Sequence, residues 1–164
     1  MRKENFEISK NSGIVICCLE FLMLAVLFTA CTGHTVYHHY EPVTMTGWEK
    51  NDTVVFLVPP ITADGVYQRQ VGLRINSDYP FMGLTLIVEQ MVLPDMELRS
   101  DTLSCDIIDE HGHPYGNGVS RYQYLFPLPA VPLDSGQSLR ITIRHDMRRE
   151  ILPGITDIGV ELST

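Results

Sequence analysis

The feature that most constrains this chain is a period-two alternation of apolar and polar residues, repeated in segment after segment beyond residue 50. From Gln70 to Asn76, Val71, Leu73 and Ile75 fall on one side and Gly72, Arg74 and Asn76 on the other. From Leu84 to Leu93, Leu84, Leu86 and Val88 oppose Thr85, Ile87 and Glu89. Asp101 to Asp109 places Leu103, Cys105 and Ile107 together, and Ser138 to His145 places Leu139, Ile141 and Ile143 together. Asp157 to Ser163 closes the chain with Ile158, Val160 and Leu162. Such a period belongs to strands with one buried face. Thr53 to Val58 differs, because its run is unbroken and reads as a strand covered on both faces.

Turn residues separate these segments. They include Pro59-Pro60, Asp64-Gly65, Ser77-Asp78-Tyr79-Pro80, Pro94-Asp95, His111-Gly112, Asp134-Ser135-Gly136 and Pro153-Gly154. Asn117-Gly118 suits a tight hairpin turn. Pro127, Pro129 and Pro132 would interrupt a central ladder, so Tyr122 to Leu133 is expected at a sheet edge or as a crossing segment. No segment after residue 31 carries a helical period. The expected fold is all-β, an antiparallel β-sandwich of jelly-roll or immunoglobulin-like form.

The first thirty residues follow another logic. Arg2, Lys3 and Lys10 precede a short apolar run from Gly13 to Phe28, and Leu27-Phe28-Thr29-Ala30 leads into Cys31. The run is short for a bilayer span and contains Glu20. A cationic start, a short apolar stretch and small residues before a cysteine read as a bacterial lipoprotein signal peptide. The expected division is a cleaved signal over residues 1–30, a lipidated N-terminus and linker over 31–46, and a β-sandwich over 47–164. Cys31 is then the lipid-bearing residue, and its acyl chains tie the protein to a membrane.

Charge and cysteine use narrow the function. The net charge is −8, and the basic and acidic residues of the leader cancel, so the excess falls on the body. Such a surface does not suit nucleic acid. Of the four cysteines, Cys17 and Cys18 leave with the leader and Cys31 carries lipid, so Cys105 stands alone as a small buried hydrophobe. Ser104, Ser120 and Ser135 lack a Gly-x-Ser-x-Gly setting, and no Gly-rich phosphate loop is present. Glu110-His111-Gly112-His113 lacks the companion spacing of a metal site and reads as a solvated turn, while His38 and His39 point to opposite faces of a strand. The expectation is a protein with no enzymatic activity, no cofactor and no metal. The candidate partner-binding residues are Trp48, the only tryptophan, which reads also as a core plug at a sandwich end, and Arg144, Arg148 and Arg149 of the local basic cluster, which reads also as a solvated strand end.

Several pieces, taken in order, resemble the gliding-motility lipoprotein GldH family of Bacteroidota. They are Gly47-Trp48 with Asp52 and a Val-rich strand, Leu73-Arg74-Ile75-Asn76 with Asp78-Tyr79-Pro80, Leu84 to Val88, Asp101-Thr102-Leu103, Met147-Arg148, and Leu152-Pro153-Gly154-Ile155-Thr156-Asp157-Ile158-Gly159. The resemblance implies a lipid-anchored, non-enzymatic accessory of gliding motility and its associated secretion machinery, with envelope proteins as partners. Cys31 is the one chemically specialised residue it carries over. Thr32-Gly33-His34-Thr35 lacks an acidic run, which favours the outer membrane with the domain facing the periplasm. A ligand- or carbohydrate-binding envelope module is the alternative, with Tyr115, Tyr122 and Tyr124 as its aromatic surface.

Overall fold

The computed structural model describes residues 34–44 and 46–164; Cys31 and the expected leader lie outside them. The strands are β1 (Thr35–Pro42), β2 (Trp48–Glu49), β3 (Val54–Val58), β4 (Gly65–Asn76), β5 (Gly83–Leu93), β6 (Glu97–Asp106), β7 (Asn117–Gly118), β8 (Arg121–Leu133), β9 (Ser138–His145), β10 (Ile151–Leu152) and β11 (Ile155–Ser163). They form a sheet ordered β1-β11-β4-β8-β7, a second ordered β3-β9-β5-β6, and a small pair β10-β2. All pairings are antiparallel. Leaving aside the two-residue strands, only the β5–β6 connection stays within a sheet; every other one crosses to the opposite sheet. That winding of eight strands is a jelly roll, not the immunoglobulin order.

The expected alternation builds the core between the sheets. Val71, Leu73, Ile75, Ile158, Val160 and Leu162 come from one sheet, and Leu84, Leu86, Val88, Leu139, Ile141 and Ile143 from the other. β8 is an edge strand along most of its length, and its three prolines sit there without interrupting a central ladder. β3 departs from the two-sided expectation. Phe56 and Val58 are buried while Val55 and Leu57 face outward, because β3 lies at the edge of its sheet and none of the described residues covers its outer face. Residues 35–42, expected within the linker, are β1 and pair with β11 along its length. Asn117-Gly118 is itself strand β7, and the turn into β8 falls at Val119-Ser120.

Cys105 is buried in β6, and burial in apolar surroundings pushes its thiol up to about 12. The native protein at pH 8 should therefore resist a maleimide at this site, with labelling only after denaturation. Stoichiometric labelling of Cys105 in the folded state, read by mass spectrometry, would overturn this assignment.

The winding sorts the loops. His34, Ser163, Gly65, Leu133, Val58 and Ser138 lie at one end of the strands. Pro42, Ile155, Asn76, Arg121, Val54 and His145 lie at the other. The long connections 43–53, 77–82, 107–120 and 146–154 all belong to the second end. At about 3.3 Å per residue, the eight-residue β1 separates the two ends by roughly 25 Å.

Candidate functional site

The loop end is where the pieces that carry the resemblance meet. Asn76 closes β4 into a turn in which its Oδ1 accepts from the Asp78 N–H at 2.9 Å and its Nδ2 donates to Asp78 Oδ2 at 3.2 Å. Tyr79 follows, buried, with its hydroxyl donating to Gly83 O at 2.8 Å. Across from this turn sits Pro153-Gly154. The Asn76 N–H donates to Gly154 O at 2.8 Å, and Gly154 has φ +83° with the Tyr79 backbone where a Cβ would stand. Only glycine fits there, for both reasons. The two most specific motifs thus form one docked pair of turns. A shallow cleft of about 320 Å³ beside them is lined by Asn76, Asp78, Arg121, Pro153 and Thr156.

The closing motif has a second role on the outer face of its sheet. The Tyr40 ring lies across Gly159 and Gly72, whose missing side chains make room for it. Arg74 caps the ring, with its guanidinium carbon 3.9 Å from the centroid, and reaches Gln123 Oε1 at 3.3 Å and Asp157 at 4.0 Å. These motif residues serve the architecture.

Trp48 is not a surface anchor. It is fully buried, so its place among the partner-binding candidates is corrected: its indole plugs the loop end of the core. Its Nε1 donates to Asp52 O at 3.0 Å, and Trp48 and Glu49 pair with Leu152 and Ile151. Its ring meets that of His145 edge-on at 5.3 Å. Buried His145 donates from Nε2 to Trp48 O at 3.2 Å and accepts the Met147 N–H at Nδ1, at 3.4 Å. That arrangement uses both nitrogens of a neutral imidazole, and burial lowers its pKa below the ordinary 6.5 or so.

A pH dependence follows. At pH 8 the imidazole is neutral folded and unfolded, and this contribution to stability is fully present. As pH falls through about 6.5, the unfolded chain takes up a proton that folded His145 refuses. Stability is then lost down to the lowered folded value, by at most about 1.4 kcal/mol per pH unit. Urea midpoints between pH 8 and 5 should fall more steeply in the parent than in His145→Asn. Equal slopes would show that His145 does not carry the effect.

The arginine candidates separate. Arg148 and Arg149 are exposed on the loop after β9, beside the Trp48 plug, while Arg144 lies partly exposed on the outer face of β9. None of the three forms an ion pair among the described residues. The histidine loop is organised by Asp109, whose carboxylate accepts from the His111 N–H at 2.8 Å, the His113 N–H at 2.7 Å and the His113 ring at 3.2 Å. Those bonds hold the carboxylate below the usual range. No three acidic, histidine or cysteine side chains among the described residues are grouped to hold a metal.

The polar residues missed by the sequence reading lie inside the sandwich. Arg69 of β4, buried, donates to Gln90 Oε1 of β5 at 2.9 Å, Asp101 Oδ2 of β6 at 3.0 Å and Pro129 O of β8 at 2.8 Å. Each falls in phase with the apolar positions of its own strand: Arg69 with Val71, Gln90 with Val88, Asp101 with Leu103. Extending the alternation by one more step would have flagged all three.

Comparison with known proteins fits this assembly of motifs. The GldH lipoprotein family profile matches residues 35–162, the whole of the sandwich. The chain belongs to the GldH lipoprotein family. Among GldH relatives, the "Gliding motility lipoprotein GldH homolog" of Christiangramia forsetii is 29% identical over 151 residues, covering 87% of this chain and 91% of that one. The "Gliding motility lipoprotein GldH" of Flavobacterium johnsoniae is 29% identical over 160 residues, covering 93% and 96%. Among solved structures, infectious bursal disease virus Gx strain aligns at TM-score 0.38 and 13% identity, covering 80% of this chain and 31% of that one. At that score the likeness is too loose to carry meaning.

Proposed function

We propose that this GldH-family protein is a lipid-anchored, non-enzymatic envelope component of gliding motility and its associated secretion machinery, acting by binding protein partners. The relatives' names support the lipoprotein role in gliding. The observation that carries the binding mechanism is the polarity of the fold. The described chain starts at His34, at the short-loop end, and Cys31 lies three residues earlier. A lipid on Cys31 would sit within about 11 Å of extended chain from that end. Arg148 and Arg149, exposed and without an ion-pair partner among the described residues of a chain of net charge −8, are then presented at the far end, where an acidic partner surface can be met. The outer membrane, with the domain facing the periplasm, is the location this reading requires. Protease treatment of intact cells should leave the domain uncut.

Photocrosslinkers placed at Arg148 and Arg149 in native cells should capture envelope proteins of the machinery. The same probe at Val66, exposed at the opposite end, should not. Adducts from Val66 alone, or none from any position, would end the proposal.

One observation favours the alternative reading of a carbohydrate-binding module. An open cleft of about 570 Å³ beside β8 is lined by Tyr115, Tyr124 and Phe126 with Asp106, Asn117 and Gln123. Exposed Tyr115 with carboxylate and amide neighbours suits a sugar, whereas Tyr124, expected on the same surface, is buried with its hydroxyl donating to Ile107 O at 3.1 Å. Retention of a glycan by the parent and its loss in Tyr115→Ala would select that reading.

A further inference from the structure

A sandwich that does not close into a barrel leaves free strand edges, which natural proteins guard with charges, prolines or inward-pointing charged residues. The free edges of the two main sheets here belong to β1, β8 with β7, β3 and β6. β8 carries Pro127, Pro129 and Pro132, and its start is covered by β7. β6 points Arg99 and Asp101 inward in the same phase as Leu103. β1 carries His38, His39, Glu41 and Pro42. β3, Val54-Val55-Phe56-Leu57-Val58, has no charge, proline or glycine. It pairs with β9 on one side only, and no other backbone hydrogen bond among the described residues reaches it.

The unguarded edge has a distinctive neighbourhood. Val55 is 38% exposed and Leu57 68%, both on the outer face. The β9 register sets Arg140 beside Leu57 and Thr142 beside Val55, and Arg144 follows on the same face. Neither Arg140 nor Arg144 has an ion-pair partner among the described residues. The side of this acidic protein therefore offers an open ladder, two exposed apolar side chains and two free guanidinium groups.

We propose that the free edge of β3 is a strand-addition site for an extended segment of a partner protein that carries apolar and acidic side chains together on its outward face. The segment's backbone completes the ladder, its central outward side chains are apolar and cover Val55 and Leu57, and the outward carboxylates flanking them meet Arg140 and Arg144. A second copy of this chain fits less well, because it would bring further arginines to that face in place of carboxylates. The inference rests on the reading that the protein works by binding proteins, and it adds a lateral surface to the loop end.

The test uses the full chain in detergent micelles and, as the probe, a capped synthetic peptide with two valines flanked by glutamates at every second position and threonine between them, so that valines and glutamates share one face. Binding should slow amide exchange within Val54–Val58. It should vanish when alternate peptide nitrogens facing the edge are methylated, and when lysine replaces glutamate. Leu57→Lys, which adds the missing guard on an exposed side chain, should weaken binding by tenfold or more. Arg140→Gln with Arg144→Gln should weaken it on the order of tenfold and reduce its salt dependence. Arg148→Gln with Arg149→Gln should leave it unchanged, and all variants should melt with the parent. Absent binding, binding indifferent to N-methylation, or equal binding of the lysine peptide would overturn the proposal. So would a peptide-free dimer abolished by Leu57→Lys, which would put a second copy on the edge. The crosslinks from Arg148 and Arg149 are read separately, so loss of the strand site and loss of the partner-binding reading are distinguishable.

Discussion

Asp101→Ala is expected to lower the unfolding free energy by about 3 kcal/mol, measured by urea denaturation of the full chain in detergent. Arg69 is buried, and its guanidinium is satisfied by three groups from three other strands: Gln90, Asp101 and Pro129 O. Removing the carboxylate leaves a buried cation without its counter-charge, which costs about 3–5 kcal/mol when fully enclosed. Asp101 retains 26% side-chain exposure, so water can reach the gap and the lower end applies. Gln90 Nε2 already finds no partner among the described residues, which offer the network no spare acceptor. The triple variant Arg69→Met/Gln90→Leu/Asp101→Ala should recover most of the loss, since an apolar replacement for a buried polar cluster is often neutral or better. A cost below about 1 kcal/mol for Asp101→Ala would show that the ion pair does not hold β6 to the opposite sheet.

Trp48→Ala should cost about 3–5 kcal/mol, the range for emptying an aromatic site in a core. The indole is fully enclosed, bonded to Asp52 O and packed on His145 beneath the β2–β10 pair. Its loss opens a cavity at the loop end of the core, beside the 146–154 segment that carries Arg148 and Arg149 and pairs with β2 through β10. Trp48→Phe keeps most of the apolar volume but not the hydrogen bond, and should cost about 1–2 kcal/mol. Far-UV circular dichroism is the appropriate readout, because Trp48 is the only tryptophan. An alanine variant within about 1 kcal/mol of the parent would be incompatible with the plug.

Much of the fold was legible because alternation is a local property. Each of β4, β5, β9 and β11 announces its inward face through three or more apolar residues at every second position, and β6 does so through Leu103 and Cys105 with Ile107 just beyond its end. The prolines of β8 likewise mark an edge wherever that strand lies. β3 was misread for a physical reason: an apolar run can be a two-sided strand or an edge strand with an uncovered face, and only the neighbours decide. Asn117-Gly118 was misread because a turn-forming pair can also end a strand that leads into the turn. Trp48 offered two environments to the same side chain, and the fold chose the interior.

The sequence by itself determined that this chain is built of strands and which face of most strands goes inward. It also identified the family, since the ordered motifs are properties of the chain alone. The tertiary structure decided what those motifs do. Gly154 is a glycine because Tyr79 occupies the space of its side chain, and Gly159 because Tyr40 lies across it. Which strand edge and which arginines go without a partner among the described residues depends on pairings between residues far apart in sequence. A strand's own residues can specify a face, but covering that face takes a neighbour, and the jelly-roll winding sets which neighbours meet.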